Sequence, residues 1–232
     1  MKSRKPMAII LADDNAEQNV DSAAGQESEE SGGIRDSRDS RDSRDSRDRC
    51  LQPLCGKPLL QHVIEGVRDS VAGLIINSNS HFSAYKEYGY PVVEDLKVGQ
   101  HNPLVGIYSG LCWYSEQKAD TEYVVSVPAD VPLFPAGLVK ELQMAAANSE
   151  SGIAYVECEG KPQPLIAIWP LSAIKNLAVE ITADNSNCQD VLQKLGANAV
   201  AVSKSSDDDF KKVTTEAELL AFEKRLNGTI KN

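Results

Sequence analysis

The chain has 232 residues, enough to bury one full core, and its 25% charged and 6% aromatic content is ordinary for a globular protein. A formal net charge of −10 argues against general binding to nucleic acid or to an anionic membrane, yet leaves room for one anionic ligand in a local pocket. The five cysteines (Cys50, Cys55, Cys112, Cys158, Cys188) include no CxxC pair, so no zinc site is expected and reduced thiols of a cytoplasmic protein are.

In chain order, "MAIIL" (Met7–Leu11) is a short apolar run that ends at acidic residues, the pattern of a buried parallel strand. It is too short for a signal segment or a membrane span. Residues 15–48 carry an acidic half and then a repeat of Arg-Asp-Ser. Neither half has the apolar side chains to offset the entropy of ordering, so the composition predicts a disordered surface insert in a single domain spanning 1–232. Because each arginine is followed by an aspartate, the repeat is near neutral and a poor RNA-binding segment.

Pro58 opens a predicted helix, with Leu59, Leu60, Val63, Ile64, Val67 and Val71 at helical spacing. "GLIIN" (Gly73–Asn77), "YPVVED" (90–95) and "EYVVSVPAD" (122–130) read as further strands, the last two ending at Asp95 and Asp130. Leu104, Ile107, Tyr108 and Leu111 mark a helix between them. Residues 138–147 are helical, and "GIAYVE" and "PLIAIWP" flank "CEGKPQ" as a hairpin. Helices over 171–179 and 188–195, a strand "NAVAVS" and a last helix over 215–226 capped by Thr215 complete the chain. The histidines and both tryptophans read as surface or packing residues.

Strands alternate with helices through the first two thirds, which argues a three-layer α/β/α sandwich with a mostly parallel, Rossmann-like sheet. In such sheets ligands sit beyond the carboxyl ends of the strands. Asp13, Asn77, Asp95 and Asp130 stand at those ends and are expected to converge on one crevice.

"DRCLQPLCGKPLLQHV", "GLIINSNS", "YPVVED", "NPLVG" and "VVSVPADVPLFP" together resemble the molybdenum cofactor guanylyltransferases, the MobA-like branch of the nucleotidyltransferase fold. The resemblance covers nearly the whole chain except the insert. It implies transfer of GMP from GTP to molybdopterin, with Mg²⁺ as cofactor and with molybdoenzymes or other maturation proteins as partners. It also implies roles for single residues. Asp130 would hold the metal, and Asp130 and Arg49 would be catalytic. Leu11, Ala12, Asp13, Arg49, Asn77, Asp95 and Asp130 would surround the nucleotide, and Pro103 and Gly106 would shape the loop near the base. Arg49 stands where the family has a lysine.

Three departures stand out. The family's phosphate loop reads Leu-Ala-Gly-Gly and then Arg-Met-Gly, whereas here it reads Leu11-Ala12-Asp13-Asp14 with no Arg-Met-Gly after it. The family's closing Asn-Val-Asn, which helps hold metal, corresponds to Lys212, Val213 and Thr214. Like charges about 4 Å apart cost about 1 kcal/mol in water and about 4 kcal/mol at the effective dielectric near a protein surface, so the acid pair is expected to impair GTP binding. The alternatives are an inactive binding module of the same fold in molybdoenzyme maturation, and a nucleotidyltransferase using another NTP.

Overall fold

The computed structural model describes residues 4–12, 48–96, 102–182 and 187–229, and the insert expected over 15–48 lies outside them save its last residue. Nine strands are described: β1 (Met7–Leu11), β2 (Pro53–Leu54), β3 (Lys57–Pro58), β4 (Gly73–Asn77), β5 (Val92–Val93), β6 (Tyr123–Pro128), β7 (Ala154–Cys158), β8 (Lys161–Pro170) and β9 (Asn198–Ala201). The helices are α1 (Leu59–Val67), α2 (Phe82–Lys86), α3 (Pro103–Glu116), α4 (Leu138–Ala147), α5 (Ile174–Thr182), α6 (Cys188–Lys194) and α7 (Glu216–Thr229).

Seven strands form the central sheet in the order β5-β4-β1-β6-β8-β7-β9. Pairing is parallel throughout except on both sides of β8, which alone runs against the others. The sheet is therefore mostly parallel, as the alternation of strands and helices predicts. Alternation along β1 divides the core in two. Ala8 and Ile10 face a cluster with Leu60, Val63, Val67 and Leu142 from α1 and α4. Ile9 and Leu11 face Leu104, Ile107, Leu111 and Leu177 from α3 and α5. Helices cover both faces, which is the expected three-layer sandwich.

Several local outcomes refine the sequence reading. The stretch 90–95 pairs only through Val92 and Val93, because the chain leaves the sheet to bring Asp95 under β4. Residues 158–163 form a tighter hairpin, with Glu159 (φ 52) and Gly160 (φ 72) as its two turn residues. Both turn residues lie in the left-handed region, as a two-residue turn matched to strand twist requires. Pro103 and Gly106 sit inside α3 rather than in a loop, since the Asn102 side chain accepts the Leu104 N–H at 2.9 Å and starts the helix early. Asp48, placed in the insert by composition, is folded: it is 3% exposed and its carboxylate accepts the Cys50 N–H at 3.0 Å, capping a 3-10 turn over Arg49–Leu51.

Thr215 caps α7 as expected, in a reciprocal box: its hydroxyl accepts the Glu218 N–H at 3.1 Å, and Glu218 Oε2 accepts the Thr215 N–H at 3.0 Å. α7 packs on the β2–β3 hairpin through Leu54, Leu59, Val213, Leu219 and Phe222, away from the sheet. Trp169 is fully buried and donates its indole N–H to Ser126 Oγ at 3.0 Å, in keeping with a core role. All five cysteines are free. No described helix is long and apolar enough to cross a membrane.

Candidate nucleotide site

The strand order reverses between β1 and β6, since β4 and β5 extend the sheet on one side of β1 and β6 lies on the other. Ligands in open α/β sheets bind beyond the carboxyl ends at such a switch point. β1 ends at Leu11 opposite both Asn77 and Pro128, so the tips of three parallel strands are level there. Ala12 continues the ladder: its N–H donates to the Asn77 carbonyl at 2.9 Å, while the Leu11 carbonyl accepts the Ala129 N–H at 2.8 Å. Asp13 follows immediately and lies outside the described residues.

On the β4 side, one carboxylate is held by two asparagines. Asn77 Nδ2 donates to Asp95 Oδ1 at 2.9 Å and to the Val93 carbonyl at 3.1 Å. Asn79 Nδ2 donates to Asp95 Oδ2 at 2.8 Å, and Asn79 Oδ1 accepts the Asp95 N–H at 2.9 Å. Asn77 is 2% exposed and Asp95 9%. Asn77 thus commits both amide hydrogens to the protein and orients Asp95, whose remaining lone pairs are the ones left to a ligand. α3 approaches this cluster closely at Gly106, where a side chain would overlap Asn77 Oδ1. Asn79 is absent from the residues singled out by position, although the Asn-x-Asn pattern contains it.

On the β6 side, Asp130 stands in the turn after the strand. Its backbone carbonyl accepts the Val213 N–H at 2.9 Å, which draws the segment before α7 across the crevice. Lys212 Nζ then lies 3.9 Å from Asp130 Oδ2. Thr214 is turned elsewhere: its hydroxyl donates to Glu218 Oε2 at 2.7 Å and its N–H donates to the same atom at 2.9 Å. These bonds hold the Glu218 carboxyl below its usual range. Arg49 lines a small cavity with Gln52, Leu59, Val213, Thr214, Thr215 and Glu216, so it faces the same segment.

A buried clasp joins the two chain ends that bound residues 13–47. Tyr85 in α2 is fully buried, and its hydroxyl bonds to the Ala12 carbonyl at 3.2 Å and to Asp48 Oδ2. Burial, together with the nearby Cys50 and Asp48, pushes the Tyr85 pKa up and keeps the hydroxyl a donor. Sequence reasoning missed Tyr85, since a tyrosine in "FSAYK" carries no local signal of this contact.

The donor set bears on the implied metal. Among the described residues no three Asp, Glu, His or Cys side chains converge. Asp130 supplies one carboxylate, beside the Lys212 ammonium. Magnesium commonly takes one or two carboxylates and completes its shell with water and substrate phosphates. A single carboxylate is a donor set that suits an ion whose shell is completed by water and substrate phosphates.

Comparison with known proteins bears on the family and the fold. A profile described as the MobA-like NTP transferase domain matches residues 40–200. It begins after β1, which the structure nonetheless places between β4 and β6. The molybdenum cofactor guanylyltransferase of Yersinia pestis (strain Pestoides F) is 33% identical over 178 residues, covering 77% of this chain and 87% of that protein. The enzyme of the same name from Yersinia pseudotuberculosis serotype O:1b (strain IP 31758) matches to the same extent. Molybdopterin-guanine dinucleotide biosynthesis protein A from Archaeoglobus fulgidus superposes with a TM-score of 0.64 at 17% identity, over 96% of this chain and 99% of that one. A CMP:2-keto-3-deoxy-manno-octonic acid synthetase in complex with CTP also reaches 0.64, at 12% identity and over 98% and 100% of the two chains. At those identities the two structures speak for the fold alone, and the profile and the curated relatives carry the assignment: this chain belongs to the MobA-like NTP transferase family.

Proposed function

We propose that the chain transfers GMP from GTP to molybdopterin in the cytoplasm, forming the guanine dinucleotide form of the cofactor. The observation that supports this best is that β1, β4 and β6 end level, Leu11 standing opposite Asn77 and Pro128, with Ala12, the Asn77–Asp95 pair and Asp130 following at those ends, in a chain whose curated relatives carry that activity in their names. A phosphate oxygen of molybdopterin attacks the α-phosphorus of GTP. A new P–O bond forms, the α–β P–O bond breaks, and pyrophosphate leaves with the bonding electron pair. Such chemistry asks the protein for positioning and charge neutralisation more than for covalent help.

Each residue then has a task. Asp95, held by Asn77 and Asn79, accepts hydrogen bonds from the guanine or ribose. Leu11 and Ala12 set the start of the phosphate loop, and Asp13 follows them into it. Arg49 brings a guanidinium to the phosphates from the far wall. Asp130 would hold Mg²⁺, which when bound supplies positive charge to the phosphate oxygens. Steady release of pyrophosphate from GTP plus molybdopterin, abolished by Asp130→Asn, is the expected result. No pyrophosphate from GTP at millimolar concentration, with intact molybdopterin present, would overturn the reading.

A second reading is favoured by Thr214, whose hydroxyl and N–H both serve Glu218 instead of facing Asp130. Together with the Asp13–Asp14 pair, it suits a binding module of the same fold that holds the pterin during molybdoenzyme maturation. Molybdopterin binding by calorimetry without pyrophosphate release would select it. A thermal-shift panel of GTP, CTP, ATP and UTP separates both from a transferase of another NTP.

A further inference from the structure

We propose that Lys212 is the resident counter-ion of Asp130, supplying part of the positive charge at the phosphate end of the crevice and competing there with a divalent metal. The proposal rests on the reading of Asp130 as the metal-binding carboxylate. The Val213 N–H bond to the Asp130 carbonyl, at 2.9 Å, fixes the backbone on which Lys212 sits. Its Nζ stands 3.9 Å from Asp130 Oδ2, so the ammonium is held at the carboxylate by its own chain segment. That segment is anchored a second time, because Val213 is buried among Leu54, Leu59, Leu219 and Phe222. A third anchor follows directly: Thr214 and Thr215 are tied to Glu218.

A cation fixed this way has two effects on a metal. It repels the incoming ion, and it occupies one side of the Asp130 carboxylate. Both effects weaken metal binding by the free protein. The pair is partly open to water, with 38% of the Lys212 and 22% of the Asp130 side chain exposed, so solvent screens much of the interaction. The charge is not lost to the site, because an ammonium close to Asp130 also faces whatever triphosphate lies against that aspartate. Lysine acts there as a compact point charge and imposes no fixed coordination geometry.

The test is a titration with Mn²⁺ alone, read by the electron paramagnetic resonance of the free ion. It compares the unaltered chain with Lys212→Met, Lys212→Arg and Asp130→Asn. Lys212→Met is expected to bind Mn²⁺ roughly fivefold to tenfold more tightly, the range set by a partly screened charge pair. Lys212→Arg keeps the charge and is expected to match the unaltered chain. Asp130→Asn is expected to weaken binding. If Lys212→Met leaves Mn²⁺ affinity unchanged or lowers it while Asp130→Asn weakens it, the counter-ion proposal falls and the metal reading of Asp130 stands. If Asp130→Asn changes nothing, the metal reading falls and takes the proposal with it. Lys212 is a surface side chain, so loss of folding does not obscure the result, and a melting curve of each variant checks this.

Discussion

Gly106 is the position where the fold of the crevice can be tested with one methyl group. An alanine inside a helix normally helps, by about 1 kcal/mol relative to glycine. Here the added Cβ would overlap Asn77 Oδ1, and would come within 3.0 Å of Asn77 Cγ and 3.1 Å of Leu11 Cδ2. The Asn77 amide has nowhere to go without breaking its bonds to Asp95 and to the Val93 carbonyl. Leaving buried polar groups unsatisfied costs about 1–3 kcal/mol. Set against the propensity gain, Gly106→Ala is expected to lose up to about 2 kcal/mol net. For a chain of this size that is a fall in Tm of up to about 8 °C, since each kcal/mol shifts the midpoint by about 2–4 °C. Nucleotide binding should weaken with it, because Asp95 loses its orienting partner. Gly110→Ala is the control: its Cβ meets Ile9 Cδ1 at 2.5 Å and Ile75 Cδ1 at 3.2 Å, so it overpacks apolar atoms without touching Asp95. Thermal denaturation of both variants, with and without GTP, reads the difference. A Gly106→Ala variant that melts higher than the unaltered chain, with GTP stabilisation intact, would refute the reasoning.

Three further outcomes are expected. Tyr85→Phe leaves Asp48 Oδ2 and the Ala12 carbonyl without their hydroxyl donor and should cost about 1–3 kcal/mol, measured by urea denaturation. On the proposed function, changing both Asp13 and Asp14 to glycine should tighten GTP at least about tenfold by calorimetry, since it removes two negative charges that would face the triphosphate. Asp208 is pushed up by burial but pulled down further by hydrogen bonds and charge from Lys211 and Arg225, so its carboxyl titrates below the usual range. A lowered folded-state pKa gives stability that is full above the unfolded value, about 3.9, and is lost as pH falls through the folded one. Asp208→Asn should therefore be less stable at pH 7, and the gap between it and the unaltered chain should close below about pH 4 in acid denaturation curves.

Long periodic or strongly apolar segments were legible in the sequence. Met7–Leu11, Gly73–Asn77 and Leu138–Ala147 fall where their patterns predict, because each buries a continuous apolar set against the sheet or under it. Val71 shared the helical spacing yet lies beyond α1, buried by the connection into β4. The two-residue strands β2 and β3 and the short α2 were not legible, since two to five residues hold no period. Polar residues at the ends of strands were legible, but the bonds they make were not. Nothing local announces that Asn77 turns its amide inward to Asp95, or that Val213 reaches the Asp130 carbonyl. Both follow from register and from the docking of α7 on the hairpin. Asp48 was lost in the repeat because its neighbours share its composition, while its burial depends on Tyr85.

The Tyr85 clasp has a consequence for the two chain ends it joins. A hydroxyl from a third element holds the residue that departs, Ala12, and the residue that returns, Asp48. The sheet therefore receives the same two anchor points whatever lies between them. Ala12 and Asp48 are thereby held by one side chain, so any change at Tyr85 is felt at both points at once.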